Sequence, residues 1–238
     1  MTLSENKERS TFSKIDGIIL TGVIAVSVLI RFWNITGIGL RGDEAVYAGQ
    51  ALVIAGDEEK ERFFVLASRG TSNFLLHQFL QAIVYKIAGF SDFTTRIIPA
   101  TLSVATVAVV FFIGQNLFGR WTGHIAAFLL AINGYHIALG RLALLDTTMV
   151  FLFTISIFFL SQWIKTNQPG WFYILAASAG LSILTKVPAV LLIPIVALTI
   201  LSCGQVKVIS YILVTQFVAQ AYYDWIVRFK NASNLCPT

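Results

Sequence analysis

Carboxylates are rare in most of this chain, and two of their positions suggest chemistry. Ten of the twelve acidic residues lie within the first 92 residues, and only Asp146 and Asp224 follow. Asp146 stands at the start of a long apolar run, and an ionised Asp costs about 2.5–3.5 kcal/mol at the centre of a bilayer and less near the interface. Three interpretations of Asp146 stay open: a helix N-cap, an ion pair with Arg141, and a role in an active site.

The second acidic position is the run Arg41-Gly42-Asp43-Glu44. Adjacent acids after a glycine are typical of a solvated turn that opens a helix, and this structural interpretation stays open beside a functional one. A carboxylate can also serve as a general base for an acceptor hydroxyl, while Arg141 and Lys186 can stabilise a leaving phosphate. If these residues meet, the sequence predicts group transfer from an anionic lipid carrier.

The composition shows which kind of scaffold must position these residues. Of the 238 residues, 56% are hydrophobic and 12% are charged, about half the charge of a typical soluble domain. These values exclude disorder, and Cys203 and Cys236 alone make no disulfide framework. The net charge of +5 comes from single basic residues between apolar runs, which is typical of membrane borders and predicts no nucleic-acid partner.

The spacing of charges predicts the membrane spans. Between Arg96 and Lys207 the charged residues are mostly separated by about 20 residues, the length that a helix needs to cross a bilayer. Arg31 interrupts an earlier apolar stretch near its end, where it is expected to snorkel to the interface. We therefore predict an all-α, polytopic transmembrane bundle of about six or seven spans, forming a single membrane domain over 1–238. The predicted spans are 17–35, five within 97–203 (97–118, 122–140, 147–164, 171–185 and 187–203), and a weaker candidate at 208–226.

Charge asymmetry predicts how these spans are oriented. Basic residues precede the first span and no cleavage site follows it, so an uncleaved helix with a cytoplasmic N-terminus is favoured over a signal peptide. The segment 36–96 then forms one long external loop of a multi-pass cell-membrane protein. Within it, 74–90 has two faces and is predicted to lie in the interface. If this segment crossed the membrane instead, Asp43 and Asp146 would lie on opposite sides.

Four sequence motifs, taken in order, resemble one family. They resemble the dolichyl-phosphate-mannose protein mannosyltransferase and aminoarabinose transferase superfamily, membrane glycosyltransferases of the GT-C type, and the resemblance covers about residues 30 to 200. The motifs are Arg31-Phe32-Trp33 through Gly39-Leu40-Arg41-Gly42-Asp43-Glu44-Ala45-Val46-Tyr47-Ala48, then Arg96-Ile97-Ile98-Pro99, Gly140-Arg141-Leu142-Ala143-Leu144-Leu145-Asp146 and Gly180-Leu181-Ser182-Ile183-Leu184-Thr185-Lys186-Val187-Pro188.

The resemblance implies roles for individual residues. Asp43 matches the family's first-loop acid, which implies that it is the catalytic base with Glu44 as its supporting partner. Asp146 matches the second-loop acid, which shapes the acceptor or donor pocket. The candidates for binding substrate or phosphate are Arg41, Tyr47, Arg141 and Lys186. Arg141 and Lys186 are chosen because they are positively charged and are predicted to lie on the outer side of the membrane.

The chain also departs from the family pattern. The family's His-Pro-Pro-Leu motif is absent at Asn73-Phe74-Leu75-Leu76, and His77 is out of register, so His77 is expected to be structural. Family members usually continue with further helices, so the C-terminal part of the family fold is expected to be missing. Two neighbouring carboxylates can hold a divalent metal, and metal use stays open.

Two functions therefore remain. The first is a glycosyltransferase that moves a sugar from a polyprenyl- or dolichyl-phosphate donor to a protein or lipid acceptor on the extracytoplasmic face, with inversion. The alternative is a non-enzymatic membrane protein, either a transporter fragment or a scaffold subunit. In that case Arg141 and Asp146 would form a structural ion pair.

Overall fold

A computed structural model describes residues 14–64, 66 and 75–202 of the chain. Every regular element in these ranges is helical, which confirms the all-α class. Short 3-10 helices lie at Glu58–Arg62 and Val187–Leu191. The α-helices are α1 (Lys14–Phe32), α2 (Asp43–Ala55), α3 (Leu76–Ala88), α4 (Asp92–Phe118), α5 (Arg120–Ile132), α6 (Gly134–Gly140), α7 (Leu145–Thr166), α8 (Pro169–Ile183) and α9 (Leu192–Ser202).

Several of these helices have the length and apolarity of membrane spans. Within the described ranges α1, α4 and α7 each meet both requirements, and α5 with α6 makes a fourth if the bent pair is one span. The chain is therefore a multi-pass membrane protein. The apolar helix α8 has 15 residues and is about 22 Å long, short of the roughly 30 Å hydrocarbon core. The predicted count of six or seven spans is not confirmed, and 208–226 lies outside the described residues.

The predicted span 122–140 is not one continuous helix. Its two parts, α5 and α6, meet at an angle of 63°. The Asn133 side chain accepts a hydrogen bond from the His136 amide at 2.9 Å and so caps α6. Asn-Gly dipeptides favour turns, and Asn133-Gly134 interrupts the helical backbone here.

Arg31 lies against this break, and the prediction that it snorkels to the interface is wrong. The Arg31 side chain is fully buried. It donates to the Ala131 carbonyl oxygen at 3.1 Å, the Ser103 hydroxyl at 2.6 Å and His136 Nδ1 at 2.8 Å. A broken helix frees carbonyl groups that need donors in an apolar environment, and a guanidinium group supplies five N–H donors.

The bundle has two chemically distinct ends. At one end Asp16, in the first turn of α1, contacts Arg120 and His124 at the start of α5. Lys165, in the last turn of α7, donates to the Asn116 carbonyl at this same end. The opposite end carries the start of α2, the turn after α6 and the start of α7, and so collects both acidic motifs. Which end faces the cytoplasm stays a prediction.

The short helix α3 has an unusual distribution of polarity. Its buried face carries His77, Gln78 and Gln81, each fully buried. Its outward face carries Phe79, Ile83 and Ile87, which are exposed, together forming an apolar stripe. This stripe is what an interfacial helix requires. The placement of α3 in the interface remains a prediction.

Candidate functional site

The first acidic motif opens α2, and its backbone separates the two carboxylates. Gly42 has a φ of 52°, in the left-handed region that favours glycine, and it precedes the first turn of α2. Successive residues on a helix point about 100° apart. Glu44 is therefore turned into the protein and is 3% exposed, whereas the next-door Asp43 is exposed.

Both oxygens of the Glu44 carboxylate are occupied by protein donors. Arg96 Nε donates to Oε1 at 3.0 Å and Arg96 Nη2 donates to Oε2 at 2.9 Å. The Ala143 amide also donates to Oε1, at 2.8 Å. A buried, bidentate arginine–carboxylate pair fixes orientation as well as charge. Glu44 therefore holds α2 against the start of α4 and against the segment that leads into α7.

Arg96 also holds the chain between α1 and α2. Its Nη1 atom donates to the carbonyl oxygens of Ile35 at 2.8 Å and Ile38 at 2.6 Å. Arg96 lies in the second turn of α4, a helix that begins with a capping box between Ser91 and Thr94. In the sequence Arg96 stands out only as part of a motif, although a charged residue within an apolar helix needs a partner when it is buried.

A cleft of about 420 Å³ opens beside this clamp, between the start of α2, the segment 34–39 and the turn 141–144. This volume lies within the range of small-ligand sites. Its apolar lining includes Ile35, Ile38, Leu142 and Leu144. Its charged lining residues are Arg41, Asp43, Glu44, Arg96 and Arg141.

Arg141 does not pair with Asp146, so the interpretation of these two residues as an ion pair is wrong. Arg141 Nη1 donates to the Ile30 carbonyl at 2.7 Å and Nη2 donates to the Asn34 carbonyl at 3.2 Å. Carbonyl groups at a helix C-terminus attract cations, and α1 ends here. These two bonds leave three of the five guanidinium N–H donors, and the side chain lines the cleft.

Asp146 lies in the first turn of α7, and its interpretation as the N-cap is also wrong. The N-cap of α7 is Leu144, which has no side-chain capping bond. The Asp146 carboxylate instead accepts from Lys186 Nζ at 2.7 Å on Oδ1 and 2.8 Å on Oδ2. Lys186 is 37% exposed and Asp146 is 29% exposed. This ion pair is therefore accessible to solvent, unlike the Arg96–Glu44 pair.

Tyr47 connects the two acidic motifs electrostatically. It lies one helical turn after Asp43 on the same face of α2. Burial raises the pKa of Tyr47 above its ordinary value of 10.0, Asp43 and Asp146 raise it further, and Lys186 lowers it. The structure therefore brings Asp43, Asp146 and Lys186 into the neighbourhood of one phenol. The catalytic and binding roles of these residues remain predictions.

The carboxylates of this region do not fit a metal site. Among the described residues no group of three or more His, Cys, Asp or Glu side chains is placed to hold a metal ion. Both Glu44 oxygens already accept hydrogen bonds from Arg96 and Ala143. Glu44 is therefore a positioning group rather than a ligand.

His77 lies outside the cleft. It is fully buried, and its Nδ1 atom lies 2.8 Å from the Thr148 hydroxyl oxygen. Burial lowers the pKa of His77 to about 4, so its ring is neutral near pH 7.

Comparison with known proteins adds a family assignment to this geometry. Residues 73–221 match the family model of dolichyl-phosphate-mannose-protein mannosyltransferases, which covers more than half of the chain. The matched range includes Arg96, Arg141, Asp146 and Lys186, and it begins after Asp43. No curated protein matches the chain. The family match points to glycosyltransferase activity in general, and the chain belongs to the dolichyl-phosphate-mannose-protein mannosyltransferase family.

Proposed function

We propose that this protein transfers a sugar from a polyprenyl- or dolichyl-phosphate donor to a protein or lipid acceptor at the extracytoplasmic face of the membrane. The observation that carries the proposal is the position of Asp43. Its carboxylate is exposed at the start of α2 and lines a cleft shared with Arg41 and Arg141. The family assignment supports the reaction class.

In the proposed reaction Asp43 accepts the proton of an acceptor hydroxyl group. The acceptor oxygen attacks the anomeric carbon of the sugar as the bond from that carbon to the phosphate oxygen breaks. The electron pair of the broken bond leaves with the lipid phosphate, and a single displacement inverts the anomeric centre. A positioned carboxylate suits this role because it acts as a general base at neutral pH.

The cations of the cleft are the proposed partners of the lipid phosphate. Arg41 is exposed, and Arg141 keeps three N–H donors after binding the Ile30 and Asn34 carbonyls. Preorganised cations lower the barrier where charge develops on a leaving group. Lys186 is not among the residues that line the cleft, and its proposed role is indirect: its ion pair with Asp146 keeps that carboxylate from repelling the phosphate.

The Asp43→Asn variant tests the proposal. We expect transfer from radiolabelled polyprenyl-phosphate sugars to membrane acceptors to fall by about 10²–10⁴-fold, the usual contribution of a general base. The matched control is Glu58→Gln, which removes one exposed carboxylate from the same loop away from the cleft and should keep full activity. Full turnover by Asp43→Asn would contradict the mechanism.

One observation favours the alternative function of transport. Transporters often contain broken helices with polar groups at the break, and the α5–α6 break with buried Arg31 has this form. However, Arg31 donates to Ser27, Ser103, Ala131 and His136, so its donors are directed at the protein itself. Sugar transfer that depends on Asp43 would exclude transport as the primary function, and a transfer-inactive chain that moves solute into liposomes would support it.

A further inference from the structure

The first turn of α7 carries Asp146, yet it lacks the side-chain cap that usually fixes a helix start. Three consecutive side chains connect this turn to its surroundings instead. Asp146 binds Lys186, Thr147 donates to the Leu139 carbonyl at 2.9 Å, and Thr148 contacts His77 on α3. The start of α7 is thus held by three other parts of the chain, and two of them, at Lys186 and His77, are 40 and 71 residues away in sequence.

The contact on the α3 side also reaches α2. Gln78, the next residue after His77, donates to Gln50 Oε1 at 2.9 Å, and both side chains are buried. Gln50 lies on α2 seven residues after Asp43, with Tyr47 between them, and this spacing places all three on one helix face. The helix α3 therefore bridges the helix that carries Asp43 and the helix that carries Asp146.

The buried polar contacts of α3 carry a free-energy cost. His77 Nε2 and Gln78 Oε1 are buried without a hydrogen-bond partner among the described residues. A buried polar group without a partner destabilises the folded state. An apolar helix face would avoid this cost, but it would not fix the register of α3 against Gln50 and Thr148.

We propose that His77 is a positioning residue for sugar transfer: through Thr148 it sets the location of Asp146, and with Gln78 and Gln50 it sets the distance from Asp146 to Asp43. We name the contacts His77–Thr148 and Gln78–Gln50 the α3 bridge. This inference rests on the proposed function, because it assigns the bridge to the same site. His77 acts as a neutral hydrogen-bonding group and touches no substrate.

Four variants test the α3 bridge by steady-state kinetics, with a radiolabelled polyprenyl- or dolichyl-phosphate sugar that the wild-type chain transfers as the donor. His77→Phe keeps a buried ring without the hydrogen bond, whereas His77→Asn keeps a polar atom near the position of Nδ1. Thr148→Val removes the hydroxyl group at nearly constant volume, whereas Thr148→Ser keeps it. Misplacement of a reacting group by about 1 Å can cost on the order of 100-fold in rate.

We expect His77→Phe and Thr148→Val each to lower kcat by about 10- to 100-fold with the donor KM within about threefold. The two conservative variants should stay within about threefold of the wild-type kcat. The double variant His77→Phe/Thr148→Val should be no slower than the slower single variant, because both changes remove one contact.

The outcomes separate the bridge from the proposed function. If His77→Phe keeps the wild-type kcat while Asp43→Asn is inactive, the positioning role is wrong and the proposed function stands. Multiplying effects in the double variant, or a loss through KM alone, would also overturn the bridge. A wild-type chain that transfers no sugar from any of a panel of polyprenyl- and dolichyl-phosphate sugars, when the same preparation unfolds cooperatively, would overturn both.

Discussion

The two acidic regions of the site use their carboxylates in opposite ways. At the start of α2, Glu44 is buried and fully paired with Arg96, while Asp43 is exposed to the cleft. At the start of α7, Asp146 is the single carboxylate. It is paired with Lys186, as Glu44 is paired with Arg96, but it is about one third exposed. Fixing a backbone and reacting with a substrate place conflicting demands on a carboxylate, and under the proposed function the first region divides these demands between neighbours.

Loss of the buried pair should give the largest effect. Arg96→Ala leaves Glu44 buried without a cation, and breaking such a pair costs about 3–5 kcal/mol. We expect the free energy of unfolding in detergent to fall by this amount. Arg41→Ala, which removes an exposed cation from the same cleft, should change it by less than about 0.5 kcal/mol. Equal stability of the two variants would contradict the structural role of the buried Arg96–Glu44 pair.

His77 on α3, which contacts Thr148 near the start of α7, should give the clearest pH dependence of stability. Burial lowers the pKa of His77 from 6.5 to about 4, so the folded state favours the neutral ring. The stability that depends on a neutral His77 is fully present above pH 6.5 and is lost as the pH falls toward 4. At pH 5 the loss is about 2 kcal/mol relative to pH 7.5.

The measurement is the unfolding free energy of wild type and His77→Asn at both pH values. Other groups titrate equally in both proteins. The difference between their changes in unfolding free energy with pH therefore gives the contribution of His77. Identical profiles would show that His77 does not titrate as its burial requires.

The exposed pair in the second region should affect binding more than folding. Lys186→Ala is expected to raise the donor KM by about tenfold, equivalent to about 1.4 kcal/mol, with kcat nearly unchanged. The uncompensated Asp146 carboxylate would then repel the phosphate, so Asp146→Asn in the same background should recover part of the affinity. An unchanged KM in Lys186→Ala would remove Lys186 from the donor site.

The smallest effect on stability is expected at the proposed base itself. Asp43 is exposed and forms no ion pair with any described residue, so Asp43→Asn should change the unfolding free energy by less than about 0.5 kcal/mol. Glu44→Gln weakens two charged hydrogen bonds and should cost about 2 kcal/mol or more. Thermal unfolding of the two purified variants makes this comparison, and a larger loss for Asp43→Asn would reverse the assignment.

The membrane-spanning helices could be predicted from the sequence because they depend on runs of neighbouring apolar residues. The exclusion of charges from hydrocarbon identified α1, α4 and α7, because charges mark the ends of apolar runs. The Asn133-Gly134 dipeptide, which favours a turn, lies within 122–140. The apolar residues around it nevertheless favoured the prediction of one continuous span. The signal for a broken helix was therefore visible in the sequence.

The contacts of the site could not be predicted in the same way. Glu44 and Arg96 are 52 residues apart, and Arg31 meets Ala131 across 100 residues. No helical or strand period encodes such pairings. The sequence identified the charged residues near the site, but it assigned the wrong partner to Asp146 and the wrong environment to Arg31, because only packing decides which donors meet which acceptors.

The central claim is that Asp43 and Asp146 share one extracytoplasmic rim, and cysteine accessibility tests it most directly. Single cysteines at positions 43 and 146, in a chain with Cys203 and Cys236 replaced by serine, are treated in oriented membranes with a membrane-impermeant maleimide. Both positions should react from the extracytoplasmic side and resist reagent supplied only from the cytoplasmic side. Reaction of the two positions from opposite sides would contradict the account.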